Sequence, residues 1–421
     1  MIAQHPAGRK SYPLWVAGTH AQDGGDVMSA DKLMVFHAPF PLQPDRVAAS
    51  MLRPLAMRRA FADLGYRVID VTGYAAQRRR AMARVRAAIA AGAGIEFVYS
   101  ENATIPNALT EPRHLPVHPA LDAAFFHHCQ RSGVPVGVFY RDVYWRFPRF
   151  REGINPILEA GLQAAYRSEL MAFEKVGLHL FLPSQAMARH VPHVDPARMS
   201  PLPPGAPDVE PRGACGQDDD GDDDGDDGGG LELLFVGVLQ DNYRMDACLR
   251  AVTSTPGTRI TLCVRQETWE ASRDHYGPLL PAGRAQVVHR SGAELEPLYR
   301  RADLGVLFTE PNPYWDFAVP YKLYEYLAHE LPVVAVRGTQ TGRLVQEMGI
   351  GWVLEYDAEA LSALLRHLRE APEEIEAVRR RMREVVPSQT WQARARQVAE
   401  ELAGSPGGPA RHQPVKERDH G

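Results

Sequence analysis

No apolar run in this chain of 421 residues approaches the ~18 that would cross a bilayer. The opening MIAQHPAGRKSYPLW has no apolar core of the kind a secretory signal carries. Cysteine is scarce: Cys129, Cys215, Cys248 and Cys263 are scattered, with no C-x-x-C pair, which argues against a zinc site and a disulfide-built fold. Nothing resembles a nucleic-acid-binding module. Together these absences point to a reducing cytoplasmic setting. The 45% hydrophobic content is enough for ordinary globular cores, and the length suggests two of them.

The net charge of −5 conceals an asymmetry. Residues 218–227 hold eight aspartates, and without them the chain would carry +3. Residues 31–200 hold 19 Arg and 2 Lys against 14 acidic residues, a net of +7. A basic first half suits an anionic acceptor or an anionic membrane surface, so a peripheral membrane contact stands beside the blander reading of a soluble basic face. The run QDDDGDDDGDDGGG cannot bury anything and is expected to be a disordered linker. Its D-x-D triplets are a by-product of low complexity, and no metal site is expected there.

On either side of that run the pattern alternates between short apolar runs and amphipathic stretches. In the first half, strands are expected at 32–37, 66–71, 95–100, 134–140 and 178–182, with helices at 48–64, 77–91, 121–132 and 154–176 between them. Ser184 could cap a short helix after the last of these strands. The helix 77–91 carries Arg78, Arg79, Arg80, Arg84 and Arg86, read as a solvated face, with a membrane-contact face as the second reading. After the linker, strands are expected at 231–239, 259–264, 286–289, 304–308, 331–336 and 349–354. Helices are expected at 243–253, 294–302, 357–368, 372–385 and 391–403. Strand–helix alternation implies parallel sheets. The predicted organisation is a loose arm at 1–30, an α/β domain at 31–205, the linker at 206–230, a second α/β domain at 231–385, a helix at 386–403 returning to the first domain, and a disordered tail at 404–421. Two such domains would face each other across a cleft.

The stretch WDFAVPYKLYEYLAHELPVV, residues 315–334, organises the rest. Pro320 suits the first position of a helix running to about His329. Val319 then stands at the N-cap, where it can cap nothing. Lys322 places a cation in the first turn, against the helix dipole. Both oddities vanish if an anion binds at this helix end. Lys322 and Glu325 share a face, and Glu325, one turn deeper, could accept two hydroxyl protons from a diol such as ribose. The plain alternative is an exposed Lys–Glu pair of little consequence. In the first half, the strand ending at Tyr140 runs into Arg141 and Asp142, at the carboxyl end of the sheet where ligands of open α/β folds bind.

The segments FVGVL (235–239), LEPLYRRADLGVLF (295–308) and above all PYKLYEYLAHELPVV (320–334) resemble the two-Rossmann-domain glycosyltransferases of the GT-B type, family 4 and its relatives (glycosyl transferases group 1). The resemblance covers roughly 231–385, and in the first half it is mainly one of topology. It implies a glycosyltransferase acting on a nucleoside-diphosphate sugar, with no metal and no cofactor. A saccharide or lipid-linked acceptor, in cell-envelope, exopolysaccharide or glycolipid synthesis, would go with it. Glu325 matches the glutamate that holds the donor ribose, and Lys322, after Pro320 and Tyr321, matches the lysine that meets the diphosphate. Gly237 matches the glycine that lets the donor phosphates approach the backbone. Arg265 and His289 fall where strand ends border the nucleotide, and Arg244 stands beside the position of a missing phosphate-clamp residue. On the acceptor side lie His37, Arg141 and Asp142. Asp142 falls where relatives place a catalytic histidine, and it reads equally as base, as orienter of the acceptor, or as a loop-fixing turn aspartate.

The chain departs from the family where a second glutamate is common, eight positions before Glu325. Phe317 stands there, with Asp316 beside it. Three readings compete: a transferase, a nucleotide-sugar epimerase of the same architecture, and a non-catalytic nucleotide-sugar-binding partner of a polysaccharide assembly complex. A phosphorylase would need a pyridoxal-phosphate lysine, and none is evident.

Overall fold

Two parallel sheets carry the chain. The computed structural model describes residues 32–42, 49–210, 230–239 and 244–404. The expected loose arm, most of the acidic linker, Tyr243 and the C-terminal tail lie outside the described residues. The first sheet has the order β2-β1-β3-β4-β5-β6. Its strands are β1 (Leu33–Ala38), β2 (Arg67–Thr72), β3 (Ile95–Glu101), β4 (Val136–Phe139), β5 (His179–Leu182) and β6 (Met199–Pro201). The second sheet has the order β12-β11-β10-β7-β8-β9. It is built from β7 (Leu231–Gly237), β8 (Thr258–Val264), β9 (Ala285–Val288), β10 (Leu304–Leu307), β11 (Val333–Val336) and β12 (Gly351–Leu354). Every pairing is parallel, so each crossover must pass over a face of the sheet, and both faces are covered by helices.

In the first lobe these helices are α1 (Ala49–Asp63), α2 (Ala75–Ala90), α3 (Leu121–Arg131) and α4 (Pro156–Val176). The second lobe has α5 (Asp246–Ser254), α6 (Gln266–Tyr276), α7 (Glu296–Arg301), α8 (Tyr321–Ala328), α9 (Gln340–Met348), α10 (Ala358–Glu370) and α11 (Pro372–Val385). Helix α12 (Trp391–Ala403) leaves the second lobe and packs on α1, and its Trp391, Ala395 and Val398 join the core beneath β1 and β3. The two lobes, joined in this way, form one compact unit from Lys32 onward.

The arginine-rich α2 is not uniformly solvated. Arg79, Arg80, Arg84 and Arg86 are exposed, but Arg78 is fully buried. Its Nε donates to Asp122 Oδ1 at 2.9 Å and its Nη1 to the Gly73 carbonyl at 2.6 Å. A guanidinium held this way is core structure and is lost to any membrane-facing role.

A long loop after β10 ties the lobes together. Trp315, Phe317 and Ala318 belong to the second lobe by sequence, yet they are buried in the core of the first. Ser184 was expected to cap a short helix. Its side chain makes no cap, and its Oγ donates instead to the Phe317 carbonyl at 2.7 Å. Ser184→Ala should leave that buried carbonyl unpaired, at a cost of about 1–2 kcal/mol. A calorimetric melt a few degrees lower would show it. An unchanged melt would mean that the loop's apolar residues hold the lobes without this bond.

Candidate functional site

At the middle of the second sheet, β7 and β10 pair only at Leu233 with Leu304 and Leu234 with Gly305, and then part. This is the point where the order of connections reverses, and in open α/β sheets it opens a crevice at the carboxyl ends. Tyr326 of α8 fills the split. Its hydroxyl accepts from the Val236 N–H at 3.0 Å and donates to the Leu234 carbonyl at 3.3 Å. A side chain at Gly305 would strike the Tyr326 ring, with a Cβ 2.6 Å from it, so glycine there lets α8 lie close on the strand. The tip of α8 is thereby fixed at the mouth of the crevice.

The helix begins one residue later than expected. Pro320 is the N-cap, not the first helical residue, and Tyr321 opens the helix. The physical reading survives the shift, because a proline N-cap has no side-chain acceptor and no cap bond is formed. A second helix end, missed in the sequence, faces the same space. Thr339 caps α9, accepting from Gly342 N–H at 2.9 Å, and Thr339 and Thr341 line the cavity. A Cβ on Gly342 would lie 2.3 Å from the Val336 carbonyl, so glycine allows this close approach.

Between the lobes lies a cavity of about 470 Å³, walled by both. From the second lobe come Gly237 at the end of β7 and Val238 after it, Thr309 after β10, the α8 tip (Pro320, Tyr321, Lys322) and the two threonines. From the first come Arg53, Thr104, Arg141, Asp142 and Tyr144. Tyr314 crosses from the bridging loop and stacks on Tyr144, with ring centroids 5.3 Å apart.

Asp142 is half-buried in solvent terms but closely surrounded by protein, which pushes its carboxyl up to about 6, against the pull of hydrogen bonds from Tyr314, Val143 and Tyr144. Its Oδ1 accepts from the Val143 N–H at 2.7 Å, the loop-fixing contact. Its Oδ2 accepts from Tyr314 OH at 2.7 Å. Tyr314→Phe removes a donor to the ionised form. The Asp142 titration, followed by carboxyl NMR, should then move to higher pH. A shift to lower pH would contradict the geometry.

Beside Asp142, Arg53 Nε donates to the fully buried Glu101 at 2.9 Å, and its guanidinium stacks 3.4 Å from the Phe139 ring centre. Arg141 Nη2 lies 3.5 Å from the other Glu101 oxygen. Two guanidiniums thus share one buried carboxylate, with the Asp142 carboxylate beside them. Arg53 is one of three arginines in α1, and nothing in the local pattern marked it.

Lys322 forms an ion pair with Glu325. Tyr299, not singled out in the sequence, joins them: Lys322 Nζ donates to its hydroxyl at 3.3 Å, and that hydroxyl donates to Glu325 at 3.4 Å. Burial, with the neighbouring Glu325 carboxylate, raises the Tyr299 phenol far above its ordinary value, so it stays protonated as a donor. Glu325 stands one turn behind the cavity wall and is not part of it.

Several expected site residues lie elsewhere. His37 is fully buried inside the first lobe, with Nδ1 2.7 Å from Ser100 Oγ and Nε2 3.0 Å from Asp122. It does not reach the acceptor side. Burial lowers its pKa, so it is a neutral core histidine. Arg265 is the exposed N-cap of α6 and stands outside the cavity wall. His289 is exposed and binds the Val264 carbonyl through Nδ1 at 2.7 Å, joining the ends of β8 and β9. Arg244 is exposed and pairs with Glu310 at 3.6 Å. Asp316 pairs with Arg189 at 3.0 Å on the surface and does not line the cavity. Among the described residues no group of three or more side chains could hold a metal ion, and no helix is long and apolar enough to cross a membrane.

Two facing Rossmann-like lobes, with a cavity at the carboxyl ends of both sheets and a terminal helix crossing back, define the GT-B fold, and this chain has it. No family model matches the sequence, and no curated protein matches it either. Among solved structures it is similar to Anabaena Alr3699/HepE in complex with UDP-glucose, with 12% identity, 89% of this chain and 100% of that one covered, and a TM-score of 0.57. It is similar too to the sucrose-phosphate synthase (tll1590) of Thermosynechococcus elongatus, with 14% identity, 88% and 98% covered, and a TM-score of 0.54. WaaG, a glycosyltransferase involved in lipopolysaccharide biosynthesis, is similar at 15% identity, 89% and 100% covered, and a TM-score of 0.52.

Proposed function

We propose that this protein transfers a glycosyl group from a nucleoside-diphosphate sugar to an acceptor hydroxyl. One observation carries the reading: the uncapped, lysine-bearing tip of α8 and the carboxylate of Asp142 line the same cavity from opposite lobes. Such a site holds an anion at one end and a proton acceptor at the other. The neighbour HepE was solved with UDP-glucose, which makes that donor the first to try.

In this reading the donor diphosphate lies against the free N–H groups of α8, beside Thr341 at the capped start of α9, with Gly237 giving room for it. The Lys322–Glu325 pair is a resting arrangement. When donor binds, Lys322 turns to the diphosphate and Glu325, with Tyr299 beside it, accepts the ribose hydroxyls. The bond from the sugar's anomeric carbon to the phosphate oxygen breaks, and a bond to the acceptor oxygen forms. The diphosphate leaves with added negative charge, which Lys322 and the α8 tip stabilise without a metal. The acceptor's proton passes to Asp142, which Tyr314 holds in place.

A thermal-shift screen against UDP-, GDP- and dTDP-sugars tests the donor half, since a ligand that binds only the folded chain raises its melting temperature. The transfer half is tested by UDP-glucose turnover with and without excess chelator, which should give equal rates. No stabilisation by any nucleotide sugar would end the proposal.

A further inference from the structure

The first lobe holds a second cavity, of about 410 Å³, that the transfer chemistry does not use. The long loop after β3 and the facing sides of α3 and α4 enclose it, and Pro106, Leu109, Ala123, Leu162, Ala165 and Phe173 make its walls largely apolar. The ionisable groups that reach it are spoken for. Asp122 is engaged by Arg78 and His37, and the ring of His114 by the Leu109 carbonyl at 2.9 Å. Glu169 accepts from the Asn107 N–H at 2.7 Å, and burial pushes its carboxyl up to about 8, so it is mainly neutral at pH 7. A largely apolar space of this size takes hydrocarbon in preference to water or ions.

Two observations indicate whose hydrocarbon. The first is adjacency to the transfer site. Thr104 lines the cleft cavity and Pro106 lines this one, so the same loop forms both walls. Tyr166 of α4 pins that loop, its hydroxyl donating to the Thr104 carbonyl at 2.8 Å. The second is the rim. Leu158 lines the cavity and is 59% exposed, while Leu115 and Val117, at 55% and 59%, flank the lining residue Pro116. The cavity therefore lies beside the cleft, across one loop from it, and has an uncovered apolar rim. We propose that this cavity holds the hydrocarbon chain of an amphiphilic acceptor whose hydroxyl head group lies at Asp142. The head group rests on the transferase reading, whereas the chain site is tested without it.

The test measures binding of butyl to dodecyl β-glucosides, below their micelle concentrations, to the full chain by calorimetry. Each methylene that enters the cavity should tighten binding about fourfold, levelling off once the space is full. Gly161 of α4 lines the cavity, and a Cβ there would meet nothing within 4 Å. Gly161→Leu therefore fills space without straining the fold. It should weaken dodecyl glucoside more than about tenfold, because its side chain displaces several methylenes. Its thermal shift with UDP-glucose should match wild type. Ala165→Trp, from the same helix, should act likewise. A wild-type series with no chain-length dependence overturns the proposal. So does a series that survives both cavity variants but disappears in Leu115→Ser with Val117→Ser, which would put the chain on the surface as a bilayer contact. If wild type ignores every nucleotide sugar yet keeps a series that Gly161→Leu abolishes, the transferase reading falls and the hydrocarbon site stands.

Discussion

Asp142→Asn is expected to lower kcat by about 10²–10⁴-fold, with the donor KM within a few-fold of wild type. The asparagine keeps the size of the side chain: its Oδ1 still accepts from Val143 N–H, and its amide N–H₂ can donate to the Tyr314 hydroxyl, so loop and tyrosine stay in place. It cannot take a proton. In wild type the acid limb of the kcat profile should fall near pH 6, where the surrounding protein has placed this carboxyl, and the residual activity of the variant should lack that limb. Stability gives an independent check. In the unfolded chain the carboxyl titrates near its ordinary value of about 4. In the folded chain it holds its proton up to about 6. Its contribution to stability is therefore complete below about pH 4 and is lost as pH rises through 6. Asp142→Asn should gain stability relative to wild type as pH rises from about 4 to about 6. Near-normal turnover with no such gain would leave Asp142 as the loop-fixing turn residue that its bond to Val143 also allows.

The alternation of strand and helix was legible because parallel strands are buried on both faces and read as apolar runs such as LELLFVG and LPVVAV. Helices α6 and α9 were not expected. QETWEASRDHY is mostly polar, and QTGRLVQEM is short and carries a glycine near its start, so neither shows a broad apolar stripe. Strand β6 was hidden by its proline and its shortness. It is an edge strand of three residues, the one place in a sheet where Met-Ser-Pro is tolerated. The α8 tip could be found from sequence because its peculiarity is local: a cation and no cap at a helix start. The other half of the site is not local. Tyr314 reaches Asp142 across 172 positions, and Arg53 reaches Glu101 across 48. Conversely His37, Arg265 and His289 lie at strand ends as expected, but a position at a strand end does not say which face the side chain takes. His37 went into the core, Arg265 stands at an exposed helix start, and His289 binds a neighbouring carbonyl. An aromatic cluster in an eleven-residue loop, PNPYWDF, was the available signal for Tyr314, because long ordered loops in compact domains tend to carry function.

Lys322→Ala should lower kcat about ten- to a hundredfold, the value of one charge-assisted hydrogen bond of about 1.5–3 kcal/mol made to a leaving diphosphate. Glu325→Ala should act differently, raising the donor KM with kcat nearly kept, because a ribose contact is as good in the ground state as in the transition state. The structure adds a condition that sequence spacing alone did not. Each residue is the other's resting partner, and Tyr299 bonds both. Removing Glu325 frees Lys322 from a competitor for the diphosphate and loosens its aim at the same time. Removing both residues should therefore cost less than the product of the two single losses. Tyr299→Phe provides the control. It leaves both charges in place, so it should reproduce a fraction of each single effect and should not remove donor stabilisation in a thermal melt. If Lys322→Ala and Glu325→Ala instead give the same modest change in kcat and KM, and their effects simply multiply, the pair is a surface ion pair with no hold on the donor. The diphosphate would then have to be bound by the N–H groups at the tip of α8 alone.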